Sequence, residues 1–272
     1  ELLRKRLGYN GLVISDALNM HSVSKLYATK GQLEWEAFNA GNDVLCFAEN
    51  VPEGIQEILK NGRPERINES FERIMKCKKQ VGILQSTAAS AVLDFEKAST
   101  LNKKIAANSL TKILDNESTN MLLEASKKGK LAKVSLYKST ENTFFKELKT
   151  GIVSDEFAIE IDTLGTISTL EQKLENYDCL LIALFVPKAK PINNFDIDEA
   201  VLKFLEKILV SKKCVLYVFG NPYSLQVIPN LQATTGLVQV YQDFNEFQEI
   251  AAHQLITNSI CKGALPIQIK GL

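Results

Sequence analysis

The chain has 272 residues, 45% apolar and 24% charged, which is ordinary for a globular protein with room for one large or two medium domains. Its 32 basic and 32 acidic residues cancel, so no basic field exists for nucleic acid or an anionic membrane surface. No apolar run approaches the roughly 18 residues that span a bilayer. The five cysteines (Cys46, Cys77, Cys179, Cys214 and Cys261) show neither a CxxC pair nor a metal-ligand spacing, which argues against a disulfide framework or a zinc site and leaves the compartment open.

In chain order, residues 1–7 read as the last turns of a helix, with Gly8 as the stop. The N-terminus lacks both an initiator Met and a signal-peptide core, so the chain is expected to be a piece of something longer. Residues 12–15 (Leu-Val-Ile-Ser) form a short apolar run with no polar alternation, the pattern of a parallel strand buried on both faces. Asp16 sits where that strand ends, at the end where α/β sheets and barrels bind ligands. There the residue is either a helix N-cap or a reactive carboxylate. Helical spacing is predicted over 17–26 and 33–40, and a second buried-type strand over 43–47. Two further helices follow, from Val51-Pro52 to Asn61 and over 66–84. Residues 1–84 therefore alternate as a parallel α/β layer, and 85–104 read as a linker.

Residues 105–272 read as a second unit. Helices are predicted over 104–114, 118–128, 143–149, 168–174, 196–210 and 246–256. Strands are predicted over 133–137, 157–161, 178–185 and 213–219, an edge-like strand over 237–241, and a last one over 263–269. The expected fold is an open, doubly wound parallel α/β sandwich.

Other chemistry-bearing residues have plain structural explanations. Gly220-Asn-Pro-Tyr223 lies where such folds place anions, but it lacks a GxGxxG or P-loop, and Asn221 as N-cap with Pro222 at the first helical position explains it. His21 reads as a solvated helix residue, and His253 and Trp35 as packing residues. Glu49, at the end of the second strand, is the other carboxylate able to line a pocket in residues 1–84.

The segment Leu3-Arg4-x-x-Leu7-Gly8-Tyr9-x-Gly11-Leu-Val-Ile-Ser-Asp16-Ala-Leu18-x-Met20-x-x-Val23 resembles the nucleophile region of glycoside hydrolase family 3, within it the bacterial β-N-acetylglucosaminidase branch. The resemblance continues through Ala40-Gly41-Asn42-Asp43-Val-Leu45, similar to the last barrel strand. It extends through Ile67-x-x-Ser70-x-x-Arg73-Ile74-x-x-x-Lys78, similar to the helix closing the catalytic domain. Asn108-Ser-Leu-Thr111 and Gly263-Ala-Leu-Pro-Ile267 resemble the start and end of the family's second domain.

This resemblance implies that residues 1–84 are the last two βα units of a (β/α)8 barrel and that residues 105–272 are the second domain. It implies Asp16 as the nucleophile of a retaining exo-β-N-acetylglucosaminidase and Met20 as a candidate substrate-binding residue, with a carbohydrate substrate and neither cofactor nor metal. The proton donor of that branch is a His on a Lys-His-Phe-Pro-Gly-type loop, and no such segment occurs here, so the chain alone is expected to be inactive. The alternatives are a β-glucosidase or β-xylosidase of the same family, and a non-catalytic scaffold. Relatives occur in the bacterial cytoplasm and exported to the envelope. Barrel strands without neighbours leave edges, so self-association is expected.

Overall fold

The structure, a computed structural model, describes residues 2–83, 93–269 and 271. The chain divides into two compact units, Glu1–Val92 and Leu93–Leu272.

The first unit opens on a π-helical turn, Leu2–Arg6, followed by α1 (His21–Ser24), α2 (Gln32–Asn39), α3 (Val51–Asn61) and α4 (Pro64–Gln80). Pro52 and Pro64 sit in the first turns of α3 and α4, where a missing N–H costs nothing. The helix expected over 17–26 shrinks to the four residues of α1. The two expected strands reduce to one parallel bridge, Ile14 with Val44. A two-segment pairing has no third strand to extend it, and Ile14 stays 59% exposed. Gly31 (φ 82°) turns the chain into α2 against the backbone of Glu53 and Gly54. A Cβ on Gly54 would stand 2.7 Å from Glu34 Cβ, so this glycine lets α2 and α3 close together. Among the described residues the unit's buried apolar side chains are Leu18, Ala37 and Phe38, while Val51, Ile55 and Leu59 leave an apolar stripe of α3 exposed.

The second unit contains α5 (Phe95–Ser109), β1 (Thr111–Asp115), α6 (Ser118–Lys127), β2 (Leu131–Leu136), α7 (Thr143–Leu148), β3 (Asp155–Ile159), α8 (Ile167–Leu174) and β4 (Cys179–Phe185). It continues with α9 (Glu199–Ser211), β5 (Lys213–Phe219), β6 (Gly236–Gln239) and α10 (Asn245–Thr257). The six strands form one sheet in the order β1-β6-β5-β4-β2-β3. The five strands from β6 to β3 run parallel, and β1 pairs antiparallel with β6. The sheet is therefore mixed, where an all-parallel one was expected.

Alternation along the central strands feeds two cores. Leu180, Ile182 and Leu184 of β4 join α8 and α9 on one face. Leu181, Ala183 and Phe185 join Leu122 of α6, Phe144, Phe145 and Leu148 of α7, and Phe247, Ala251 and Leu255 of α10 on the other. Burial on both faces is why these strands read as unbroken apolar runs.

Three expectations fail here for physical reasons. The stretch expected to be helical to residue 114 breaks after Ser109, where Leu110 turns extended (φ −50°, ψ 127°) and Thr111–Asp115 becomes β1. Thr111 and Ile113 are β-branched and suit a strand. The strand expected at an edge, β6, lies between β1 and β5. The tail, expected as a strand over 263–269, forms no ladder: Gly263 N donates to Leu110 O at 3.0 Å, and Leu265 and Ile269 pack against a core. Of the stretch read as a linker, residues 85–92 lie outside the described residues, and α5 occupies 95–104.

Left-handed backbone concentrates in the second unit. Asn193, Asn194, Phe195 and Asp196 form one left-handed turn (φ 50–62°), and Tyr137 and Tyr241 have φ of 72° and 71°. Each non-glycine residue costs about 1–2 kcal/mol there, less for Asn and Asp. Among the described residues no helix is long and apolar enough to cross a membrane.

Candidate functional site

The region around Asp16 is assembled by backbone bonds between residues 13–18 and 43–46. Asp43 N donates to Val13 O at 2.8 Å, Ser15 N to Val44 O at 2.9 Å, and Leu18 N to Cys46 O at 2.9 Å. Ser15 Oγ accepts from Cys46 N at 2.9 Å and donates to Asp16 O at 2.8 Å, tying the last residue of the run to its neighbour. Asp16 leaves this junction with an exposed carboxylate, whose Oδ1 accepts from Ala17 N at 2.7 Å. Helix α1 begins at His21 with Met20 at its N-cap. Asp16 therefore does not cap it. Met20 is 40% exposed, four residues past Asp16.

Beneath the junction lies Asp43, whose side chain is fully buried. Arg4 Nη2 donates to its Oδ2 at 2.6 Å and Val13 N to the same oxygen at 3.0 Å. Ser70 Oγ (2.9 Å), Arg66 Nη1 (3.2 Å) and Arg73 Nη2 (3.1 Å) donate to Oδ1. Burial alone would push the carboxyl up. The Val13 amide, Arg73 and Ser70 outweigh it and hold Asp43 down at about 2, against an ordinary 3.8. This carboxylate ties the N-terminal turn and α4 to the run that delivers Asp16. Arg66 also stacks 4.6 Å above the Phe38 ring, covering that part of the small core.

A cavity of about 110 Å³ opens beside these elements, lined by Leu18, Tyr27, Thr29, Glu34, Glu49 and Asn50 among others. Glu49, a loop carboxylate exposed to solvent, stands on the rim of this cavity. Neither Asp16 nor Met20 lines it. Glu34, 2% exposed, accepts from Asn50 N at 3.0 Å through Oε1, and its Oε2 has no hydrogen-bond partner.

The remaining residues divide cleanly. His21 and His253 are exposed, and Trp35 is half-buried in α2. Asn221 caps the 3₁₀ turn Pro222–Gln226, accepting from Tyr223 N at 2.9 Å, as its sequence setting predicts. Burial pushes the Cys179 and Cys214 thiols up to about 11 and about 12, which rules them out as nucleophiles near neutral pH. Among the described residues no cluster of three His, Cys, Asp or Glu could hold a metal ion.

Sequence reasoning missed the Asp43 clasp and the burial of Glu34. A signal for the clasp existed. Arg66, Ser70 and Arg73 fall at i, i+4 and i+7, a polar line along one face of a helix.

Residues 1–77 match the family model described as Glycosyl hydrolase family 3 N terminal domain. A β-N-acetylglucosaminidase/β-glucosidase of Cellulomonas fimi is 31% identical over 121 residues, which are 41% of this chain and 21% of that protein. Among solved structures, the family 3 β-N-acetylglucosaminidase from Paenibacillus sp. str. FPU-7 superposes with a TM-score of 0.69 at 17% identity, over 97% of this chain and 52% of that one. The β-glucoside phosphorylase BglX bound to 2FGlc gives 0.71 at 18% identity, over 98% and 50%. The β-glucosidase from Listeria innocua in complex with isofagomine gives 0.66 at 15%, over 95% and 40%. At these identities the superpositions show the fold. The chain spans about half the length of the first two solved structures and about a fifth of the curated relative.

Proposed function

We propose, from a first unit whose residues 1–77 match the N-terminal domain of glycosyl hydrolase family 3, that this chain carries the nucleophile of a retaining glycosidase. The observation that carries the reading is Asp16. It is an exposed carboxylate at the end of a backbone-anchored segment, inside the stretch matched to the family. A carboxylate so placed attacks the anomeric carbon as the glycosidic C–O bond breaks and the aglycone leaves with a proton from the general acid; the glycosyl-enzyme ester that forms is then hydrolysed by water, releasing the sugar with retained configuration. Asp43 holds the segment in place, and Met20 borders the sugar site.

The substrate we favour is a terminal β-linked N-acetylglucosamine, which the names of the Cellulomonas and Paenibacillus proteins support. The name of the Cellulomonas protein also includes β-glucosidase, and the BglX and Listeria proteins act on β-glucosides, so a β-glucoside is the second reading. We place the glycosidase activity in a longer protein that supplies the proton donor, with residues 1–84 as barrel units and residues 105–272 as a second domain. We further propose that residues 12–15 and 43–47 pair between chains where their edges stay open.

Two measurements test this. The 272-residue chain is expected to leave 4-nitrophenyl β-N-acetylglucosaminide intact, while N-acetylglucosamine shifts amides near Asp16. In the full-length protein, turnover should fall by at least about a thousandfold in Asp16→Ala, as for loss of a covalent nucleophile. Turnover of the N-acetylglucosaminide by the chain overturns the placing of the proton donor outside it, and an active full-length Asp16→Ala overturns the nucleophile reading. Comparing aryl N-acetylglucosaminide with aryl glucoside separates the two substrates, because a pocket bonding the acetamido group rejects a sugar without it.

A further inference from the structure

A cavity large enough for a small ligand belongs to the second unit. It measures about 700 Å³ and lies at the C-terminal ends of β4, β5 and β6, walled by 186–189, 219–223, 241–243 and Pro266-Ile267. In sheets covered by helices on both faces, that edge is where loops diverge and leave a crevice for ligands.

Two further observations meet at this edge. Among the described residues, six of the ten non-glycine residues with positive φ follow the C-terminal ends of strands on this side of the sheet, Tyr137 after β2, 193–196 after β4 and Tyr241 after β6, and Tyr241 lines the cleft itself. Tyr and Phe are poorly suited to that conformation, and such outliers gather where a site demands a wall in one place. Behind the wall at Gly220, the fully buried Gln239 donates Nε2 to Gly220 O at 2.7 Å, and its Oε1 has no partner. Asn221 braces the same wall, donating Nδ2 to Ala189 O at 2.8 Å across the two loops.

We propose that this cleft is a binding site for a neutral saccharide, separate from Asp16. The lining sets the ligand class. Two lysines beside it are already ion-paired, Lys188 with Asp196 at 2.6 Å and Lys138 with Asp243 at 2.8 Å, so neither is a free cation awaiting a phosphate or carboxylate. Pro222 removes one amide donor from the loop that would cradle an anion. Tyr223, half exposed, offers an aromatic face to the C–H face of a sugar ring. Paired Lys and Asp side chains at the rim can donate to and accept from neighbouring hydroxyls on one ring.

The test is amide-shift NMR on the full chain, titrated with N-acetylglucosamine, glucose and, separately, inorganic phosphate. The expected result is saturable shifts at 220–223 and 241–243 with a millimolar dissociation constant for a sugar and none for phosphate. Tyr223→Ala and Asp243→Asn should each weaken binding, the first by at least about tenfold, and Asp16→Asn should leave these shifts intact. Both side chains are at the surface, so circular dichroism of the variants should match the parent. Sugar-induced shifts confined to residues 12–50 overturn this site and leave the glycosidase reading standing. Equal binding of phosphate, no saturable response, or a response unchanged in Tyr223→Ala also overturns it.

Discussion

Replacing Asp43 with Asn keeps the shape of the side chain and removes its charge, which tests whether the clasp organises the first unit. The carboxylate lies at about 2 against an ordinary 3.8, and each pK unit is worth about 1.4 kcal/mol, so its ionisation contributes about 2 kcal/mol. Asp43→Asn also strands Arg4, Arg66 and Arg73, whose side chains are only 17–21% exposed. Removing one partner from a buried charge cluster typically costs about 3–5 kcal/mol, and the expected loss is about 3 kcal/mol. Trp35, the sole tryptophan, lies in α2 of the same unit, so urea unfolding followed by its fluorescence reads that unit directly. The folded pKa is depressed, so the contribution is complete above the unfolded value near 3.8 and disappears as pH falls through about 2. The native chain should therefore lose Trp35-reported stability between about pH 4.5 and 2, and Asp43→Asn should lack that part of the loss. A variant within about 0.5 kcal/mol of the parent at pH 7 would refute the clasp as an organiser.

Other outcomes follow from the packing. Ile182→Ala, at a fully buried position in the central strand β4, should cost about 2–5 kcal/mol in far-UV circular-dichroism melts. Gly54→Ala forces Cβ towards Glu34 and should cost about 1–3 kcal/mol in the Trp35 signal, with Glu34→Ala in the same chain restoring part of it. In native protein at pH 8, a thiol reagent should modify Cys46, Cys77 and Cys261 before Cys179 and Cys214, which react only on unfolding.

The strands easiest to read from sequence were those whose neighbours matter least. Residues 179–185 and 214–219 are buried on both faces and almost wholly apolar, so each announces a central strand by itself. Strand β1 was hidden because its identity depends on β6, more than a hundred residues away, and a local helical period ran into it. Strand β6 looked like an edge for the same reason: nothing in Gly236-Leu-Val-Gln239 announces the antiparallel partner that covers it. Asp16 could be placed at the end of an apolar run from sequence, but its freedom from capping α1 could not, because that depends on where α1 starts. The Asp43 clasp draws on residues 4, 13, 43, 66, 70 and 73, and only the three on α4 show a common face in sequence.

The two-sided burial of β4 has a consequence for how the chain finds its register. In a half-exposed strand, a slip of one residue turns apolar side chains to water and is rejected by polarity. A slip of β4 or β5 would exchange one apolar face for another, so polarity is silent and size must decide. The deciding row is Ser135, Ala183 and Tyr217, adjacent across β2, β4 and β5: two small residues beside a large ring. Tyr217 also donates its hydroxyl to Gln254 Oε1 at 2.9 Å on α10, on that face alone. Shifted by one, its hydroxyl would enter the face of Leu180, Ile182 and Leu184, where leucine and isoleucine have no hydrogen bond to give. One tyrosine thus marks the correct alignment of the sheet, as a key cut for one side of a symmetrical-looking lock.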